Sequence, residues 1–200
     1  WTWLKNELDA GDTAGQLMII AAHIPIGVEP LFSELEWWVN PQTLPPFAQN
    51  AATLAELIAE LQSHPNLLLW LAGHRHFNTV KAFPSADPAH PENGFWQVET
   101  SSLRDFPQQF RNITINLNSD YTILIDAINV DPAIKEGTPA AVSRRYAVAA
   151  QQIVGTPGIY QNNAVQIDYT TQIETTDPDT SIHPMPTGSY NGKLYKQLSP

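Results

Sequence analysis

The chain has 200 residues, a net charge of −10, 42% hydrophobic residues and no cysteine. That length and apolar content suit one globular domain with a sizeable core, and the acidic balance excludes a general nucleic-acid binder, which needs a basic face for phosphate backbones. Disulfides and thiolate metal sites are excluded too, so any metal must be held by His, Asp, Glu or Asn.

A phosphorylated small substrate stays open, because bound dications would invert the local field. No stretch approaches the roughly 20 apolar residues of a membrane span. The opening residues Trp1-Thr2-Trp3-Leu4-Lys5 lack the basic flank and apolar run of a signal peptide. They read as the middle of a helix, as if the chain were cut from something longer. The Thr-, Asn-, Gln- and Pro-rich composition points towards an exported protein without fixing the compartment.

Trp1, Leu4 and Leu8 fall on one helical face, and Asp9-Ala10-Gly11-Asp12 is expected to end that helix. Leu17 to Ala22 is a continuous apolar run, suited to a strand buried on both faces. It stops at His23-Ile24-Pro25-Ile26-Gly27, because Pro25 cannot continue a central strand. Residues 28–50 form a long connection rich in proline and aromatics, including Phe32, Trp37 and Trp38, which could line a pocket or cover the edge of the core. The clearest helix is Ala51 to Ser63, with Leu54, Leu57, Ile58 and Leu61 at helical spacing. Thr53 and Glu56 could form a capping box there, with Asn50 as the rival cap. Leu67 to Ala72 is the next strand, leading into Gly73-His74-Arg75-His76. Helix, strand, helix, strand predicts a layered α/β domain.

Beyond the Pro-rich loop Pro84 to Asn93, Phe95 to Thr100 alternates weakly and Arg111 to Leu117 strictly. Tyr121 to Val130 is a third β run, and Asn118-Ser119-Asp120 makes an antiparallel hairpin of the last two. A linker follows from Asp131 to Pro139. A helix is predicted over Val142 to Val154, with Tyr146, Ala149, Ala150 and Ile153 on one side. Weak β patterning covers Ala164 to Ile173, and residues 131–200 are expected to form a peripheral extension, partly mobile at its end.

Of the six histidines, His64 reads as a cation favoured by a helix C-terminus. His90 and His183 read as solvated. His23, His74 and His76 differ, because each follows a buried strand, and the carboxyl ends of strands in open α/β sheets are where ligands bind. Strand alternation places His74 and His76 on one side and Arg75 on the other, where a structural salt bridge is its simplest role. Three imidazoles arriving at one sheet edge form a metal-site candidate.

The residues Ala22-His23-Ile24-Pro25-Ile26 and Ala72-Gly73-His74-Arg75-His76 resemble the last two metal motifs of the calcineurin-like metallophosphoesterases. The resemblance runs through about Val130. It implies the C-terminal half of a four-layer α/β/β/α sandwich over residues 1–130. It also implies two dications (Mn, Fe or Zn) about 3.5–4 Å apart, and hydrolysis of a phosphomonoester or phosphodiester through a hydroxide held by both ions. Carried over, His23 and His74 are ligands of one ion and His76 of the other. Arg104 is a candidate contact for a substrate phosphate, beside the simpler reading of an ion pair with Asp105 or another acid.

The family's earlier motifs, Asp-x-His, Gly-Asp-x-x-Asp and Gly-Asn-His-Asp/Glu, are absent from these 200 residues. With them go the bridging carboxylate, an Asn ligand and the His that protonates the leaving group. The chain alone is therefore expected to hold at most one metal and to lack significant activity. Its expected partners are a phosphorylated small molecule, acting through the complete domain, and either the missing half or a second copy. No nucleic acid or membrane is expected. The competing reading is a non-catalytic interaction module with a His-only metal site or none, its Trp-rich loop making the contact.

Overall fold

The computed structural model describes residues 1–27, 50–74, 76, 78–104, 108–154, 165–168, 173–176 and 191–198. The Trp-rich connection, Arg75, Asp105 and His183 lie outside them. The architecture is mixed α/β. Helix α1 (Thr2–Thr13) leads to strand β1 (Met18–Ala21), and α2 (Leu54–Leu61) to β2 (Leu67–Ala72). Strands β3 (Thr79–Phe83), β4 (Phe95–Glu99), β5 (Phe110–Leu117) and β6 (Thr122–Val130) follow, then α3 (Pro139–Val154), β7 (Val165–Asp168), β8 (Ile173–Thr176) and β9 (Gly192–Gln197).

A four-stranded sheet has the order β1-β2-β4-β3, a second has β5-β6-β9, and β7 pairs with β8. Strands β1, β2 and β4 are parallel, so their carboxyl ends lie at one edge, and β3 runs antiparallel beside β4. On one face of the four-stranded sheet Leu8, Leu54, Leu57, Ile58 and Leu61 of α1 and α2 pack with Trp70, Phe83 and Phe95. On the other, Leu69 and Val98 meet Ile123, Ile125 and Leu194 of the second sheet. The layers are thus helix, sheet, sheet.

Trp1, just before α1, and Leu4 and Leu8 within it face the core as predicted, but α1 runs on through Gly11 to Thr13. Gly11 is buried against Met18, and a side chain there would collide with the Met18 thioether. Close approach of helix to strand, rather than helix termination, accounts for this glycine. Thr53 caps α2 in a full capping box with Glu56. Asn50 serves the other helix instead: its Oδ1 accepts from Thr2 N at 3.1 Å, at the start of α1.

The predicted hairpin forms with Ile113, Ile115 and Ile125 facing the core. Strand β3 is an addition to the sequence reading. Helix α3 starts earlier than predicted, because Thr138 offers its hydroxyl to Ala141 N and Pro139 suits the first helical position. Ala141 of this helix is buried, whereas Tyr146 is 71% exposed. Within the segment expected to be a peripheral extension, β9 joins the second sheet. Strand β9 pairs with β6 and buries Leu194 within the core. No helix among the described residues is long and apolar enough to cross a membrane.

Candidate metal centre

The parallel strands hand their ends to one another. Gly73 N donates to His23 O at 3.1 Å, and Thr100 N to Ala72 O at 2.9 Å. His23, Gly73 and Thr100 are thereby lined up where β1, β2 and β4 finish. His23 is exposed and His74 half-buried. Their rings meet edge-on, with centroids 4.9 Å apart and planes at 78°. His74 Nδ1 lies 3.0 Å from His23 Nε2, a hydrogen bond in which one imidazole must donate and the other accept.

The strand-alternation argument for His74 and His76 is corrected. Strand β2 ends at Ala72, and the two histidines sit beyond it with φ of 76° and 62°. Both are left-handed, a region that costs a side-chain-bearing residue energy and that clusters at functional sites. Strand alternation therefore no longer fixes which way His76 points. Among the described residues no group of three or more His, Asp or Glu side chains stands ready to hold a metal ion. The structure brings together His23 and His74.

That pair fits a dication. Its two nitrogens lie within hydrogen-bond reach of each other, close enough for one metal ion to bind both. With ligand bonds of about 2.0–2.1 Å, nitrogens at the observed spacing subtend about 90° at the ion, as neighbouring ligands do in octahedral coordination.

Behind the pair the segment from His23 to Ile26 is tightly held. Trp70 Nε1 donates to Ile24 O at 3.1 Å, Gln97 Oε1 accepts from Ile26 N, and Lys81 Nζ donates to Ile26 O at 3.3 Å. Lys81 also lies 4.6 Å from the centre of the Phe83 ring. Gln97, Lys81 and Glu99 are all but fully buried, and sequence reasoning missed each of them. Glu99 accepts from Thr79 Oγ1 at 2.9 Å. Arg111 donates to Asn129 Oδ1 and to Thr79 O. Burial lowers the Arg111 pKa to about 10, with Glu99 opposing that shift.

Arg104 is exposed on the loop after β4, its N donating to Ser102 Oγ at 2.9 Å, which places it beyond the strand end that carries Thr100. His64, just past the end of α2, is a buried tether. It is 3% exposed, and its Nδ1 sits 2.6 Å from Asp12 Oδ2, joining the end of α2 to the end of α1. His90 is solvent-facing as expected. Its hydrogen bond to Glu92 raises its pKa, helped by the charges of Glu92 and Asp87.

No protein-family model matches the chain, and no curated protein matches it. Among solved structures it is similar to a dimetal phosphatase from Danio rerio, at 18% identity and a TM-score of 0.36. The match covers 63% of this chain and 33% of that one, so the chain spans about a third of that protein's length.

Proposed function

We propose that this chain carries one side of a dimetal phosphoesterase centre, acting on a phosphomonoester or phosphodiester. The observation that supports it is the His23–His74 contact, 3.0 Å between ring nitrogens at the carboxyl ends of two parallel strands. His23 and His74 would share one ion, and His76 would serve the second. Two dications (Mn, Fe or Zn), when bound, supply an activated water and charge neutralisation for in-line displacement at phosphorus. The chain's own part is to orient two imidazoles before the ion arrives, so that little reorganisation accompanies binding. Arg104, on the loop beyond β4, is the candidate for holding a substrate phosphate. The sequence contains neither a bridging-carboxylate motif nor an Asn-His general-acid motif. These 200 residues alone are therefore proposed to bind at most one ion and not to turn over substrate, with the missing groups supplied from outside these residues.

The test is metal titration of the purified chain with Mn²⁺, Zn²⁺ or Co²⁺, followed by calorimetry and metal analysis. One ion per chain is expected, lost in His23→Ala and His74→Ala and kept in His76→Ala. No bound metal, or binding indifferent to His23, would make the pair structural and sink the proposal. Hydrolysis of a phosphodiester by the isolated chain with Mn²⁺, abolished by His74→Ala, would overturn the inactivity.

A further inference from the structure

The backbone after His23 is held at four polar groups: His23 O by Gly73 N, Ile24 O by the Trp70 indole, Ile26 N by Gln97 and Ile26 O by Lys81. Pro25, which has no N–H to satisfy, is buried between the anchored residues. Ile26 is itself fully buried, so its amide and carbonyl have no water to turn to. The anchors come from β2, β3 and β4. Trp70, Gln97 and Lys81 lie side by side across those strands, since Gln97 registers with both Trp70 and Lys81. A buried glutamine and a buried lysine between aromatic neighbours are costly to place, and both hydrogen-bond the polar groups of one residue. That residue lies three positions after His23.

We propose that Gln97, assisted by Lys81 and Trp70, is a positioning residue that holds the His23 loop so that its imidazole meets that of His74. The proposal rests on the reading of the pair as metal ligands only for its consequence. The positioning itself is a property of the metal-free chain. Gln97 would act as an outer support does at metal sites, fixing the backbone that carries a ligand instead of hydrogen-bonding the ligand ring.

The experiment compares the wild type with Gln97→Leu, Gln97→Glu and Trp70→Phe, each checked by thermal melting. The readouts are histidine ¹⁵N–¹H correlation spectra of the metal-free proteins and Co²⁺ titration. The wild type should show the signature of a proton shared between two imidazoles. Gln97→Leu should lose it and bind Co²⁺ about tenfold more weakly or worse. Gln97→Glu, whose carboxylate still accepts from Ile26 N, should keep it, and Trp70→Phe should weaken it to a smaller degree. Leu57→Ala, a core truncation in α2, should lower the melting temperature and leave the imidazole signals in place.

A folded Gln97→Leu with wild-type imidazole signals overturns the proposal. So does a Leu57→Ala variant that loses those signals equally, because destabilisation alone would then explain the loss. If Gln97→Leu does not fold, Trp70→Phe decides: unchanged imidazole signals in that variant refute the positioning role. Failure of the wild type to bind Co²⁺ defeats the proposed function, and the imidazole signals of the metal-free variants still decide this inference.

Discussion

The two faces of the four-stranded sheet are buried by different rules. The face towards the second sheet is apolar: Leu69 and Val98 meet Ile123, Ile125 and Leu194. The face towards the helices mixes Trp70, Phe83 and Phe95 with Thr79, Lys81, Gln97 and Glu99, all buried. Apolar contact is undirected and tolerates small shifts, so it stabilises without fixing any one backbone group. Buried hydrogen bonds are directional and costly to leave unmade. The helix-side face concentrates them next to the strand ends, around Ile26 and Glu99. One face supplies stability, and the other supplies the geometry of the loop that carries His23.

The largest test strikes the apolar face. Leu69→Ala should cost about 2–5 kcal/mol in urea denaturation and leave the His23–His74 contact intact. Loss of that contact would break the division of labour. Lys196 comes next, because it is a polar intruder on the apolar side. It is buried, and its Nζ donates to Glu92 O and Gly94 O, both at 2.6 Å. Desolvation lowers its pKa from the ordinary 10.5 to about 8, with the Glu92 charge opposing. Between those values the unfolded chain holds the proton and the folded chain does not. Stability should therefore rise with pH through that window, by up to about 3 kcal/mol, and the rise should vanish in Lys196→Met. Denaturation midpoints at pH 8 and 10.5 measure it.

Thr79→Val deletes the hydroxyl donor to Glu99 on the helix-side face. A loss of about 1.5–3 kcal/mol is expected, as for hydrogen bonds to charged groups. A neutral result would mean that the buried polar face contributes no more than an apolar one. The smallest effect belongs to neither face. Thr53→Ala removes the α2 cap and should cost about 1 kcal/mol, read as a lower melting temperature with unchanged histidine signals.

The difference between the faces also explains what the sequence disclosed. Period-two alternation exposed the β5–β6 hairpin, because its inward residues are the β-branched Ile113, Ile115, Ile123 and Ile125. Helical spacing of Leu54, Leu57, Ile58 and Leu61 exposed α2 for the same reason. Strand β3 stayed hidden because Lys81, the residue at its centre, is fully buried where a lysine signals solvent. Gln97 and Glu99 were illegible on the same grounds, since a polar side chain gives no sign of being buried until its partner's position is known. The motif histidines stood out by chemistry. Their left-handed backbone did not, because strand alternation carries no information beyond the strand's last residue. Asn50 shows the limit of local rules. It has a cap's chemistry and caps a helix, but one far away in sequence.

The pairing of β9 with β6 sets an order of events for the chain. Strands β5 and β6 are joined by a tight turn and can pair as soon as both exist. Strand β9 must return across residues 131–191 to complete the same sheet. Closing so long a loop costs entropy that only the finished contacts around Leu194 offset, so that closure belongs late in folding. Until it happens, one edge of β6 is a bare row of amides and carbonyls. During synthesis that edge would wait for β9 to emerge, and it is a place where an unfinished chain is open to pairing with a neighbour.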